Sequence, residues 1–197
     1  MRLSAALAAS TLALVAVAGC STEPDETAAR DTAAEVAGAE SALLAEHGLQ
    51  GMTATQIVDT LDASTDPRPL ALGASVKPGQ VMLTDGVEEI LLDLPEDKFY
   101  VSIAPFVDST HECYFHSLGT CQGELTQEPV QVKITDAGGD ILVDEEVTTG
   151  TNGFAGFWLP RDIAGTIEIE HEGRTGSVDF TTDDESPTCI TTLQLSA

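Results

Sequence analysis

The sequence predicts an α+β protein, with a short N-terminal helical region followed by a mainly antiparallel β-sandwich or barrel-like domain. Three observations carry that prediction. Apolar residues recur at helical spacing before about residue 70. After about Leu72 they alternate with polar ones, and turn dipeptides punctuate the alternating part.

The first residues concern export. Met1-Arg2 supplies a minimal positive start, and Leu3 to Ala18 is apolar apart from Ser4, Ser10 and Thr11. That run is short for a membrane span but suits the core of a secretory signal. Val17-Ala18-Gly19-Cys20 resembles a bacterial lipobox, in which the cysteine is diacylated and becomes the new N terminus. On this reading residues 1–19 are a signal peptide. Two acyl chains on Cys20 then hold the protein, exported, at the outer face of the cytoplasmic membrane or in a periplasm. The plainer alternative is a cleaved signal with an incidental Cys20. Residues 20–32, rich in Ala, Thr, Asp and Glu, read as a flexible acidic tether.

Residues 33–70 form the expected helical region. Val36, Leu43 and His47 share one stripe, and Gly48 is placed to end that helix. Thr53-Ala54-Thr55-Gln56 fits a capping box opening a second helix, whose apolar residues are Ile57, Val58 and Leu61; Asp66-Pro67 is expected to stop it. Helices this short are marginal alone, so the rest of the chain or a partner chain must cover their apolar faces.

Residues 71–197 form the expected β-rich domain. Alternation marks Val81-Leu83, Ile90-Leu92, Phe99-Val101-Ile103, Val130-Val132-Ile134, Ile141-Val143, Ile167-Ile169 and Val178-Phe180. Pro78-Gly79, Asp85-Gly86, Gly138-Gly139, Asn152-Gly153 and Glu172-Gly173 supply turns, and Gly138-Gly139 predicts a hairpin. Phe154, Phe157 and Trp158 are assigned to the β core, His47 and His171 to structural or surface roles, and Asp183-Asp184-Glu185 to a solvated turn.

With 33 Asp+Glu against 8 Lys+Arg, the formal net charge is −25, which repels phosphate backbones and argues against nucleic-acid binding. No phosphate loop or hydrolase motif is present.

Chemistry concentrates on thiols. Beyond Cys20 there remain Cys113, Cys121 and Cys189, an odd number for an exported chain, and two of the four histidines, His111 and His116, flank Cys113. A hairpin centred on Ser117 is expected to set Cys113 opposite Cys121, with His111 on the same strand face as Cys113 and His116 at the turn. Cys189 is expected to open a strand running to Leu195, its sulfur on the inward face with Leu193 and Leu195. Three thiols with imidazole suit Cu(I) first and Zn(II) second, whereas hard cations avoid such a set. Between Lys98 and Lys133 there is no cation, while Asp108, Glu112, Glu124 and Glu128 surround the motif. That setting is expected to raise thiol pKa values and to favour metal capture over an activated nucleophile. A structural Cys113–Cys121 disulfide, with Cys189 as a buried hydrophobe, is the bland alternative.

The segments His111–Leu125 (HECYFHSLGTCQGEL), Gly153–Asp162 (GFAGFWLPRD) and Cys189–Leu195 (CITTLQL), in this order, resemble the CueP family of extracytoplasmic copper-resistance proteins. The likeness runs from roughly residue 35 to the C terminus. It implies copper bound by Cys113, Cys121 and Cys189 with histidine help; among the two histidines of the motif we expect His116 as the first nitrogen ligand and His111 in reserve. It also implies copper buffering outside the cytoplasm and, in some members, supply to a cuproenzyme such as Cu,Zn superoxide dismutase. Thiol-driven reduction of Cu(II) or Fe(III), or disulfide exchange with a partner, is the enzymatic alternative it implies; dimerisation through the helical region is a further implication. The lipobox is a departure, since the better-known members are soluble in a periplasm.

Overall fold

A computed structural model describes residues 42–197. The signal segment, the lipobox with Cys20, the tether and Val36 lie outside the described residues.

Helix α1 (Ala42–Glu46) buries Leu43 and Leu44, and α2 (Ala54–Asp62) buries Ile57, Val58 and Leu61. Gly48, at φ +71°, ends the first helix as expected, where an L side chain is disfavoured. The capping box is present: the Thr53 hydroxyl accepts the Gln56 N–H, and the Gln56 side chain accepts the Thr53 N–H. Helix α2 stops at Asp62 rather than at Asp66-Pro67. The cause is Arg68, whose guanidinium donates to the carbonyls of Leu61, Asp62 and Ser64 and so satisfies the helix end early.

Ten strands follow: β1 (Gly73–Lys77), β2 (Gln80–Thr84), β3 (Glu89–Asp93), β4 (Lys98–Ile103), β5 (Pro129–Asp136), β6 (Ile141–Thr148), β7 (Ala155–Pro160), β8 (Ala164–His171), β9 (Arg174–Thr181) and β10 (Cys189–Ile190). They make three sheets, ordered β1-β2-β3, β10-β4-β7 and β6-β5-β8-β9. All described pairings between strands are antiparallel except β10 with β4. The β5–β6 hairpin turns through Gly139 at φ +92°, as the Gly138-Gly139 pair predicts.

Two apolar layers result. Phe99, Val101 and Ile103 of β4 and Phe157 and Leu159 of β7 pack against Val132, Ile134, Ile167, Ile169 and Phe180 of the four-stranded sheet, which makes a sandwich and not a closed barrel. The helices lie on β1-β2-β3, with Leu44, Leu49, Ile57, Val76, Val81, Leu83, Tyr100 and Leu118 sharing one cluster. The chain itself thus covers the apolar residues of α1 and α2.

Two expectations are corrected. Residues 111–121 form no strand pair; Ser117 instead bridges to Ser75, and the Cys121 and Thr120 amides fold back onto the Ser117 carbonyl. The β-strand at Cys189 lasts two residues. Cys189 clusters with Ala104, Phe154 and Cys121, whereas Leu193 and Leu195 enter the sandwich core, so the sulfur does not share their face. The chain continues past Ile190 by a bridge from Gln194 to Phe106 instead of regular pairing.

Candidate metal centre

The segment 104–128, between β4 and β5, carries His111, Cys113, His116 and Cys121; β10 brings Cys189. A long segment without regular structure must place its backbone polar groups individually. Here the Val76 amide donates to the His116 carbonyl at 2.8 Å, the Leu70 amide to Gly119 at 2.9 Å and the Cys189 amide to Tyr114 at 3.1 Å. Buried Thr188 ties three segments: its Oγ1 donates to the Val76 carbonyl at 2.6 Å and accepts the His116 amide at 2.9 Å, and its own carbonyl takes the Ser102 amide. The Glu124 carboxylate accepts the amides of Val107, Asp108 and Ser109. The Tyr114 hydroxyl donates to the Glu185 carbonyl. Gly123 and Gly153 pass so closely that a Cβ on either would lie 2.6 Å from the other's carbonyl oxygen, and Gly153 also has φ +76°. This contact is one reason the segment following Asn152 needs its glycine.

The sulfurs converge. Cys113 Sγ and Cys121 Sγ are 3.5 Å apart, and Cys189 Sγ is 3.7 Å from Nδ1 of His116. Two groups have ligand atoms all within 4.8 Å of one another: His111, Cys113 and Cys121, and His116, Cys121 and Cys189. Cys121 belongs to both. All three cysteines are free thiols; 3.5 Å is far longer than the ~2.05 Å of a disulfide. His116 and Cys189 are buried, while His111 and Cys113 are partly exposed. Nε2 of His111 is buried without a hydrogen-bond partner among the described residues. Phe154, assigned from sequence to the β core, instead forms the wall: its ring centroid lies 4.6 Å from that of His116 and 6.2 Å from that of His111. Phe157 does fill the sandwich, and Trp158 packs on Tyr100 beneath α2 with its N–H on Asp59.

Behind His116 stands a group the sequence did not reveal. Oδ1 of Asp62, the last residue of α2, meets Nε2 of His116 at 3.0 Å and accepts Nδ2–H of Asn152 at 2.8 Å; Oδ2 accepts the Tyr100 hydroxyl at 2.5 Å. Burial opposes charge on Asp62, but the hydrogen bond and charge of His116, with Tyr100 and Asn152, hold its carboxyl below the ordinary carboxylate value. Burial likewise opposes the His116 imidazolium, and Asp62 and Cys121 together outweigh it and raise the imidazole.

The thiols diverge. Hydrogen bonding with Cys113 and Cys189 lowers Cys121 despite burial, with His116 and His111 adding to the effect. Its neighbours move the other way: Cys113 is pushed up to about 11 by donating to Cys121, and Cys189 is raised by Cys113, Cys121 and burial. Within the trio, proton sharing thus favours the anion on the shared sulfur, Cys121, over its two donors. The expectation that all three would be raised fails at Cys121. Arg68 supplies a cation from outside the Lys98–Lys133 window, and its charge acts on both Asp62 and Cys121. Three soft sulfurs and two imidazoles, arranged around Cys121, are a donor set for a soft cation.

Elsewhere the histidine and acidic readings stand. His171 is buried with Nδ1 on the Pro129 carbonyl at 2.9 Å, and Asp183 Oδ1 accepts from Glu185 and Ser186 within a turn. Among the described residues no helix is long and apolar enough to cross a membrane.

The family model of the periplasmic copper-binding protein CueP matches residues 56–194. A solved structure described as "Crystal Structure of S.CueP" is similar at 46% identity and a TM-score of 0.77, covering 80% of this chain and 97% of that one. Comparison with curated proteins gives no match.

Proposed function

The chain belongs to the CueP family of periplasmic copper-binding proteins, and on that premise we propose that it buffers Cu(I) outside the cytoplasm through Cys113, Cys121 and Cys189, with His116 and His111 assisting. The observation that carries this reading is the arrival of Cys189, remote in sequence, at the same sulfur that Cys113 and two imidazoles surround. Cu(I) accepts two or three soft donors, and thiolate with imidazole matches it better than Zn(II), the second choice. We further propose residues 1–19 as signal, Cys20 as the lipidated anchor, residues 20–32 as tether, 33–70 as the helical region and 71–197 as the copper-binding domain. Supply of the ion to a cuproenzyme such as a Cu,Zn superoxide dismutase would follow buffering. Pairing of two copies through the helical region is a further proposal, to be made by surfaces other than the apolar faces already laid on β1-β2-β3.

Anaerobic titration of the reduced full chain with Cu(I) against a chromophoric chelator tests the assignment. One tightly held ion per chain is expected, with tight binding lost in Cys121→Ser. Unchanged affinity in that variant, or Zn(II) displacing Cu(I) at equal concentration, would overturn it.

One observation favours a second reading, thiol-driven metal reduction: the lowered Cys121 thiol lies 3.5 Å from Cys113. Two thiols would lose two protons and two electrons and form one S–S bond, and two Cu(II) would each take one electron. A reductase turns over many equivalents of Cu(II) when an external thiol recycles it. A buffer stops once its own thiols are spent.

A further inference from the structure

We infer that Asp62 is a positioning residue for the copper site, committing the His116 imidazole to the tautomer that turns an Nδ1 lone pair toward the sulfurs. The inference rests on the copper-binding reading and deepens it, since it names the ligating atom and the group that selects it.

An ionised carboxylate only accepts hydrogen bonds. At 3.0 Å from Oδ1 of Asp62, Nε2 of His116 must therefore carry hydrogen. The opposite ring nitrogen, Nδ1, faces Cys189 Sγ at 3.7 Å, inside the group that includes Cys121. Once a metal replaces the thiol proton there, Nδ1 is the nitrogen free to bind it. Carboxylate–imidazole–metal arrangements gain both ring orientation and ligand basicity in this way.

Asp62 is built to hold that ring and is poorly placed to become a ligand. Besides His116, its two oxygens take Asn152 Nδ2, the Tyr100 hydroxyl and, at 3.5 Å, the Ser102 hydroxyl. Asn152 and Tyr100 are themselves almost fully buried. Asn152 is fixed in turn, accepting the Phe154 amide on its side chain and the Gly123 amide on its carbonyl. On the imidazole side the ring is gripped at its backbone by Thr188 and Val76 and at its face by Phe154. Ring rotation that presented Nε2 to the sulfurs would break its hydrogen bond to Asp62 Oδ1, while the backbone grip leaves the ring no room to recover it by moving as a whole. Among the described residues His111 has no carboxylate behind it: its Nε2 is unpaired, so no hydrogen bond there selects its tautomer. The contrast assigns His116 as the fixed nitrogen ligand and His111 as the adaptable one. Asp62 also ends α2, so the ligand geometry reaches into the helical region.

Two measurements on the full chain test this. Long-range ¹H–¹⁵N correlation of the reduced apo protein, recorded at a pH high enough for the His116 ring to be neutral, should show it protonated at Nε2; a dominant Nδ1–H tautomer overturns the inference without any variant. Asp62→Ala should weaken Cu(I) binding by roughly 10–100-fold and mix the tautomers, while Asp62→Asn, which retains an acceptor oxygen, should recover most of both. In a His116→Ala background Asp62→Ala should change Cu(I) affinity less than about twofold, because nothing remains to be positioned. An equal loss with and without His116 would assign Asp62 a merely structural role and overturn the proposal. Wild-type protein that shows the Nε2–H tautomer yet fails to hold Cu(I) refutes the copper reading and leaves the positioning intact.

Discussion

The sheet β6-β5-β8-β9 and the segment 104–128 solve the burial problem in opposite ways. The sheet hides Val132, Ile134, Ile167 and Ile169 behind polar outward neighbours, and its backbone groups are paired by the ladder. The segment hides His116, and beside it lie buried Ser102, Asn152 and Thr188, each needing its own partner. A buried polar group costs free energy unless its partner is in place. The sandwich therefore tolerates change so long as volume is kept. The segment depends on individual atoms from α2, β4, the turn before β7, and β10.

If the two regions are as separate as this suggests, a core deletion should damage stability and spare the site. Ile167, fully buried in β8 opposite Ile134 and Val178, is the sharpest choice. Ile167→Ala should cost about 2–5 kcal/mol in denaturant unfolding, with Cu(I) stoichiometry and affinity unchanged at temperatures where the protein stays folded. Altered affinity there would show that the sandwich transmits strain to the thiols and would break the contrast.

Thr188→Val sharpens it from the other side. The exchange keeps volume but removes one acceptor and one donor, leaving the His116 amide unsatisfied and depriving the Val76 carbonyl of its hydroxyl partner. An unsatisfied buried group costs about 1–3 kcal/mol. Less stability is lost than in Ile167→Ala, yet Cu(I) affinity should fall, because the backbone of a ligand has been loosened. Equilibrium unfolding and chelator competition on the same two variants separate the outcomes.

What could be read in the sequence follows the same division. Period-two alternation located the sandwich strands β4, β5, β6, β8 and β9 but not β7, and Thr53-Ala54-Thr55-Gln56 marked the start of α2, because local sequence determines those features. Strand β1 was missed: Gly73-Ala74-Ser75 has too little apolar bulk to stand out. Cys113, Cys121, Cys189 and the two histidines stood out by residue type alone, although the hairpin expected to join them does not form. Asp62, Tyr100, Asn152 and Thr188 could not be picked out. Each sits in an unremarkable local setting: only the fold brings Asp62 and Thr188 to His116 across 54 and 72 positions, and Tyr100 and Asn152 to Asp62 behind it. Arg68 was overlooked for the same reason, lying outside the stretch searched for cations.

The smallest effect concerns how the rim of the site is held. Glu124 fastens residues 107–109, just before His111, by accepting three backbone amides, the shortest from Ser109 at 2.8 Å. Those amides, that of Ser109 foremost, hold its carboxyl below the usual glutamate value of 4.5. A carboxyl lowered in the folded state stabilises above its unfolded pKa, and the contribution is lost as pH falls through the folded one. The stability difference between wild type and Glu124→Gln should thus be flat from pH 7 down to about 5 and shrink below 4.5. Because the carboxylate is solvated, the difference should be smaller than that for Thr188→Val. Acid titration of the unfolding midpoint for both proteins measures it. A difference that instead varies between pH 6 and 8 would implicate a histidine and remove Glu124 as the clasp of the rim.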